Sequence, residues 1–200
     1  MKKVIFIFVF TTAALVANAQ VKLGVKAGAS ATGLTIKDFD FNQNELAFLS
    51  GGDRFIGFHL GAFAQFNAKL FFVQPEILFT NLNYELTAVP INSENIDINV
   101  LFNRIDFPLI VGKKFGPARI FGAPVYSVNL NANDNITKDD LKEGTFGYQV
   151  GFGFEFSNLI IDLKYEGAFS ETARSVIVNN TSYVADLRTN QFILSFGFVL

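Results

Sequence analysis

Beyond Gln20, apolar residues recur at every second position, which is the spacing of a strand with two unlike faces; helical spacing fits poorly. Eight such segments stand out: Val21 to Ala29, Phe55 to Phe66, Leu70 to Leu82, Ile98 to Gly112, Ala118 to Val128, Thr145 to Phe156, Leu159 to Ala168 and Asn190 to Leu200. Most reach the roughly 9–11 residues with which a tilted strand crosses a bilayer. Their connections alternate in length. Those around Asn67 to Lys69, Lys113 to Pro117 and Ser157-Asn158 are short, whereas Ser30 to Arg54, Asn83 to Asp97, Asn129 to Gly144 and Phe169 to Thr189 are long and polar. This alternation predicts an all-β chain: an eight-stranded antiparallel up-and-down transmembrane β-barrel with short periplasmic turns and long extracellular loops.

The two faces of each segment sharpen the expectation. In the last segment Phe192, Leu194, Phe196, Phe198 and Leu200 share one face, opposite Gln191, Ser195 and Gly197. In the seventh, Leu159, Ile161, Leu163 and Tyr165 oppose Asp162, Lys164 and Glu166. The same alternation puts Lys22, Lys26, Arg104, Arg119 and Lys164 on the polar face, with Glu76, Asp106, Glu155, Asp162 and Glu166. A soluble β-protein cannot bury so many charges unpaired, because each ion costs several kcal/mol to desolvate. A protein that is apolar outside and polar inside can hold them as a structural charge network across a narrow lumen.

Composition supports strands over spanning helices. Half the residues are hydrophobic and 25 are Phe, yet after the first residues no second apolar run of about 18 appears. The first residues are a different case: Lys2-Lys3, an apolar stretch from Val4 to Val16, then Ala17-Asn18-Ala19, which reads as a secretory signal peptide over 1–19 ahead of a barrel domain over 20–200. Removing Lys2 and Lys3 moves the formal charge from −2 to −4. The long connections carry −7, the short turns +3 through Lys69, Lys113 and Lys114, and the inner face is balanced. An acidic rim argues against nucleic-acid binding. Tyr84, Tyr126, Tyr148 and Tyr165 fall near the long-loop ends, as an interfacial aromatic girdle does. The chain has no cysteine, hence no lipobox-type acylation site, disulfide or thiolate metal site.

Val73-Gln74-Pro75-Glu76, and in the next strand Ile105-Asp106-Phe107-Pro108-Leu109, resemble motifs of the PorT-like outer-membrane β-barrel family of Gram-negative bacteria. The opening Gly24-Val25-Lys26-Ala27-Gly28 and the ending Phe196-Gly197-Phe198-Val199-Leu200 are similar too. The resemblance spans the region after the leader and implies an eight-stranded outer-membrane barrel with no shared catalytic residues. Some members assist protein secretion. Many outer-membrane barrels end in an aromatic residue, whereas this chain ends in Leu200, with Phe198 two positions earlier.

Few residues offer other chemistry. His59 is the only histidine and falls on the polar face of the second segment, without a Gly-x-Ser-x-Gly or comparable motif beside it. One imidazole cannot supply a metal's usual ligand set. Asn133-Asp134-Asn135 through Asp139-Asp140 and Glu143 offers oxygens for calcium but lacks the Gly and spacing of an EF-hand loop. The strand glycines, such as Gly24/Gly28, Gly57/Gly61 and Gly151/Gly153, are not followed by the Lys-Ser/Thr of a phosphate loop, and a steric role fits them better. Val176 to Val178, Asn179-Asn180 and Ser182 to Val184 form a hairpin pattern. These features predict a non-enzymatic, monomeric outer-membrane protein without catalytic, cofactor or metal residues. Its partners are outer-membrane lipid and a protein docked at the extracellular loops. The alternatives are a narrow pore for small solutes and an enzyme built on His59.

Overall fold

The computed structural model of the chain describes residues 20–39, 46–90, 96–132, 144–170, 173–178 and 181–200. The expected signal peptide over 1–19 and the acidic segment over 133–143 lie outside them. The strands are β1 (Gln20–Phe39), β2 (Leu46–Ala68), β3 (Phe71–Pro90), β4 (Ile96–Phe115), β5 (Ala118–Ala132), β6 (Gly144–Phe156), β7 (Leu159–Ala168), β8 (Ala173–Val178) and β9 (Thr181–Val199). Strands β1 to β7 pair antiparallel in chain order, β9 follows β7, and β9 pairs back onto β1 from Gly24↔Val199 to Phe39↔Ala185. Eight strands therefore close into a barrel. Closure is completed at the chain end, where the Leu200 amide donates to the Leu23 carbonyl at 2.9 Å.

The short strand β8 is an adjunct to that barrel. β7 follows β9 from Leu159↔Phe198 to Gly167↔Asn190, and β8 takes over the same edge from Ala173↔Leu187 to Val178↔Thr181. This is the hairpin that the sequence pattern predicts, with Val176 opposite Tyr183.

Three two-residue turns close one end: Lys69-Leu70, Gly116-Pro117 and Ser157-Asn158. Each has positive φ at its first central residue (54°, 62° and 52° respectively), as a type II′ turn does, which matches the twist of the flanking strands. The other end differs from expectation. Much of Ser30 to Arg54, Asn83 to Asp97 and Phe169 to Thr189 is strand rather than loop, since β1 runs to Phe39, β2 starts at Leu46, β3 runs to Pro90 and β9 starts at Thr181. Alternating apolar residues mark a strand only where one face meets lipid. Backbone pairing needs no apolar face, so strands run on past the alternating segments.

Side chains alternate as an inverted protein requires. Phe152 (53 %), Phe196 (49 %) and Leu163 (42 %) expose apolar surface outward, while Lys26, Gln74, Arg119, Asp162 and Lys164 are at most 1 % exposed inside. Tyr126 packs on Phe146 at 4.9 Å between ring centroids, Tyr148 on Phe169 at 4.9 Å and Tyr165 on Phe192 at 5.2 Å, placing three of the expected girdle tyrosines in aromatic contacts near one end.

Candidate functional site in the barrel lumen

The lumen is built from the inward face of each strand, and all ten charges expected there make ion pairs. Near the turn end Glu155 of β6 accepts from Lys22 of β1 at 2.8 Å and from Lys114 of β4 at 2.6 Å, and lies 3.6 Å from Arg119 of β5. Arg119 continues inward to Asp162 of β7 at 3.2 Å. Lys26 of β1 joins Asp162, at 3.2 Å, to Glu76 of β3. Lys164 lies 3.9 Å from the other oxygen of Glu76, an ion pair beyond hydrogen-bond reach. Toward the opposite end Arg104 of β4 holds Asp106 at 2.8 Å and reaches across to Glu166 of β7.

Neutral groups add hydrogen bonds to three of the carboxylates. Asp106 accepts from Thr80 at 2.6 Å and Ser127 at 2.5 Å. Glu166 accepts from Gln149 at 2.7 Å and Gln191 at 2.8 Å, and Glu76 from Gln74 at 2.5 Å. Acidic and basic side chains this deep are held by the opposite partners the wall supplies; a charge left alone there would carry an uncompensated desolvation cost. The two motifs behind the family resemblance are paired strand to strand, Pro75 opposite Leu109, and their acidic residues Glu76 and Asp106 belong to this network.

Apolar side chains that the charge pattern did not reveal also pack inside the barrel toward the turn end. Phe72, Ile110, Phe121 and Ala123 form one buried cluster, and Phe63, Ile160 and Val199 another. The Arg119 guanidinium lies 4.3 Å from the Phe72 ring centroid and 5.2 Å from that of Phe121, tying cluster to network through cation–π contacts. Inner-wall glycines make this packing possible. Gly112 is paired with Phe72 and Gly151 with Phe121, and a Cβ at either would come 2.6 or 2.8 Å from the ring. The ring a glycine accommodates thus belongs to the neighbouring paired strand.

Lys114 was expected in a turn; because β4 extends to Phe115, it falls on the inward face with Gly112 and Ile110 and joins Glu155. The alternation from Arg104 onward carried that signal, since Lys114 lies an even number of residues from it. His59 lies at mid-strand, paired with Gly28, its Nε2 3.1 Å from the Ser195 hydroxyl. Both are almost wholly buried, at 4 % and 0 % exposure. Among the described residues no group of three His, Cys, Asp or Glu side chains is arranged to hold a metal.

No protein-family profile matches the chain, and no curated protein matches its sequence. Its structure is similar to that of Neisserial surface protein A, with a TM-score of 0.52 and 13 % identity over 90 % of this chain and 99 % of that one. It is similar to the outer membrane protein OprG from Pseudomonas aeruginosa, with a TM-score of 0.52 and 9 % identity over 90 % and 97 % of the two chains. The attachment invasion locus protein Ail of Yersinia pestis aligns with a TM-score of 0.48 and 12 % identity over 90 % and 99 %. The closed eight-stranded barrel, the apolar outer wall and the charged interior together are those of an outer-membrane β-barrel.

Proposed function

We propose that the chain is a non-enzymatic, monomeric anchor in the outer membrane, oriented with its two-residue turns in the periplasm, whose rim displays acidic, Asn-rich connections for adhesion or for docking a protein partner. The observation that carries this reading is the filled lumen: Arg119, Lys26, Glu76 and Asp162 lie at its centre with their side chains fully buried. A barrel packed in this way offers no conduit and presents its variable chemistry only at its ends. Burial of the His59–Ser195 pair supports the non-enzymatic reading, because a hydrolase needs its nucleophile open to substrate. The paired motifs containing Glu76 and Asp106 support kinship with the PorT-like family.

Surface labelling tests the display and its orientation. The chain has no native cysteine, so a single introduced thiol reports one position. In intact cells Asp139→Cys is expected to react with a membrane-impermeant maleimide, and Lys69→Cys only after the envelope is opened. The reverse pattern contradicts the orientation, and protection of Asp139→Cys in both states contradicts display.

A further inference from the structure

The outer wall of the barrel is not uniform. Val111 of β4, Gly122 of β5 and Val150 of β6 are partners in register on the lipid-facing side. Where Phe, Leu, Ile and Val cover most of that wall, Gly122 contributes no side chain. A Cβ placed there would meet only the Gln149 carbonyl oxygen within 4 Å, at 3.6 Å. Beside this gap lies an open, shallow depression of about 450 Å³, lined by Val111, Val150, Ile120 and Phe71, with Phe121 in its floor between Gly112 and Gly151.

At the turn end the depression is bounded by Lys113. This ammonium lies 5.7 Å from the Phe71 ring centroid and 5.1 Å from that of Phe115, and no carboxylate among the described residues pairs with it. Its neighbour Lys114, in contrast, turns inward and is neutralised by Glu155. The wall therefore joins an apolar depression to a positive charge that no described carboxylate compensates.

We propose that this depression is a binding site for one anionic phospholipid, its acyl chain lying against Val111, Ile120 and Val150 and its phosphate meeting Lys113. An apolar tail and an anionic head, in that order along the membrane normal, match both features at once. Aromatic rings flanking a cation are what a headgroup boundary favours, since the stem of Lys113 stays in apolar surroundings while its charge reaches the interface. The proposed orientation puts this end in the phospholipid leaflet, but the site itself does not depend on whether the lumen conducts or what the rim binds.

Native mass spectrometry of the full barrel, purified in neutral detergent and titrated with phosphatidylglycerol or phosphatidylcholine, tests the site. One phosphatidylglycerol is expected to be retained about fivefold more tightly than phosphatidylcholine, the size of effect of one lysine at an anionic lipid surface. Lys113→Gln is expected to abolish that preference while leaving retention of a lipid chain. Gly122→Leu, which grows a side chain between Val111 and Val150, is expected to weaken retention of both lipids by a similar factor. Heat-shifted gel migration establishes that each variant is folded. Equal retention of the two lipids by the unaltered protein, or unchanged retention in both variants, overturns the proposal. So does a protein dimer that Gly122→Leu dissociates, which assigns the depression to a second copy.

Discussion

Glu76 accepts from Lys26 and from Gln74, lies 3.9 Å from Lys164, and has no exposed side-chain surface. Replacing it with Gln leaves Lys26 with Asp162 alone and Lys164 without this carboxylate. The expected cost is about 3–5 kcal/mol, the range for breaking one member of a buried ion pair. Lys22, whose side chain is 30 % exposed beside Glu155, is a contrasting site, and Lys22→Ala is expected to cost about 0–1 kcal/mol. Reversible urea unfolding in detergent measures both, and equal small effects indicate a solvated lumen. At this scale much was legible in advance. Period-two alternation assigns the ten inner charges to one face, because a one-residue shift would have turned them toward lipid. What alternation cannot show is which charge meets which, since Lys26 and Asp162 lie on strands far apart in the chain. Nor does it show the inward apolar cluster of Phe72, Ile110 and Phe121, because Phe is equally at home facing lipid or packed under a guanidinium.

Turns and strands show the same division between what the pattern reveals and what it hides. The three short turns were identified from their spacing, but not their conformation. Ser157 and Lys69 adopt positive φ at a position where glycine is at ease, while the third turn has Gly116 there. Ser157→Gly is therefore expected to stabilise the barrel by about 1 kcal/mol, relieving left-handed strain in an exposed turn. A lower unfolding midpoint for that variant contradicts the turn assignment. Strands on the opposite side run past the segments the pattern marks, as β3 does to Pro90, because backbone pairing continues where the outer face is no longer apolar in sequence. Within those segments the signal is strong and testable: Leu163, 42 % exposed near the middle of β7, is expected to lose about 2–4 kcal/mol on change to Arg. An effect below 1 kcal/mol in lipid vesicles contradicts the outward assignment of that residue.

The whole molecule follows from two constraints acting together. Strands exposed to lipid must satisfy every backbone donor and acceptor, so the sheet closes through β1 and β9. Eight strands enclose an interior only wide enough for side chains, so whatever faces inward must pack. Here the inward residues are long and charged, and they pair from Lys22 and Glu155 near the turns, through Arg119, Asp162, Lys26 and Glu76, while Arg104, Asp106 and Glu166 occupy the other end. Buried rings pack beside the ion pairs toward the turn end. Single-channel recording in planar bilayers tests this account most directly. The folded protein is expected to pass no steady current at physiological salt, and Arg119→Ala, which removes the link between Glu155 and Asp162, is expected to introduce leakage. Stable, regularly sized openings from the unaltered protein would contradict the packed lumen and make the barrel a conduit.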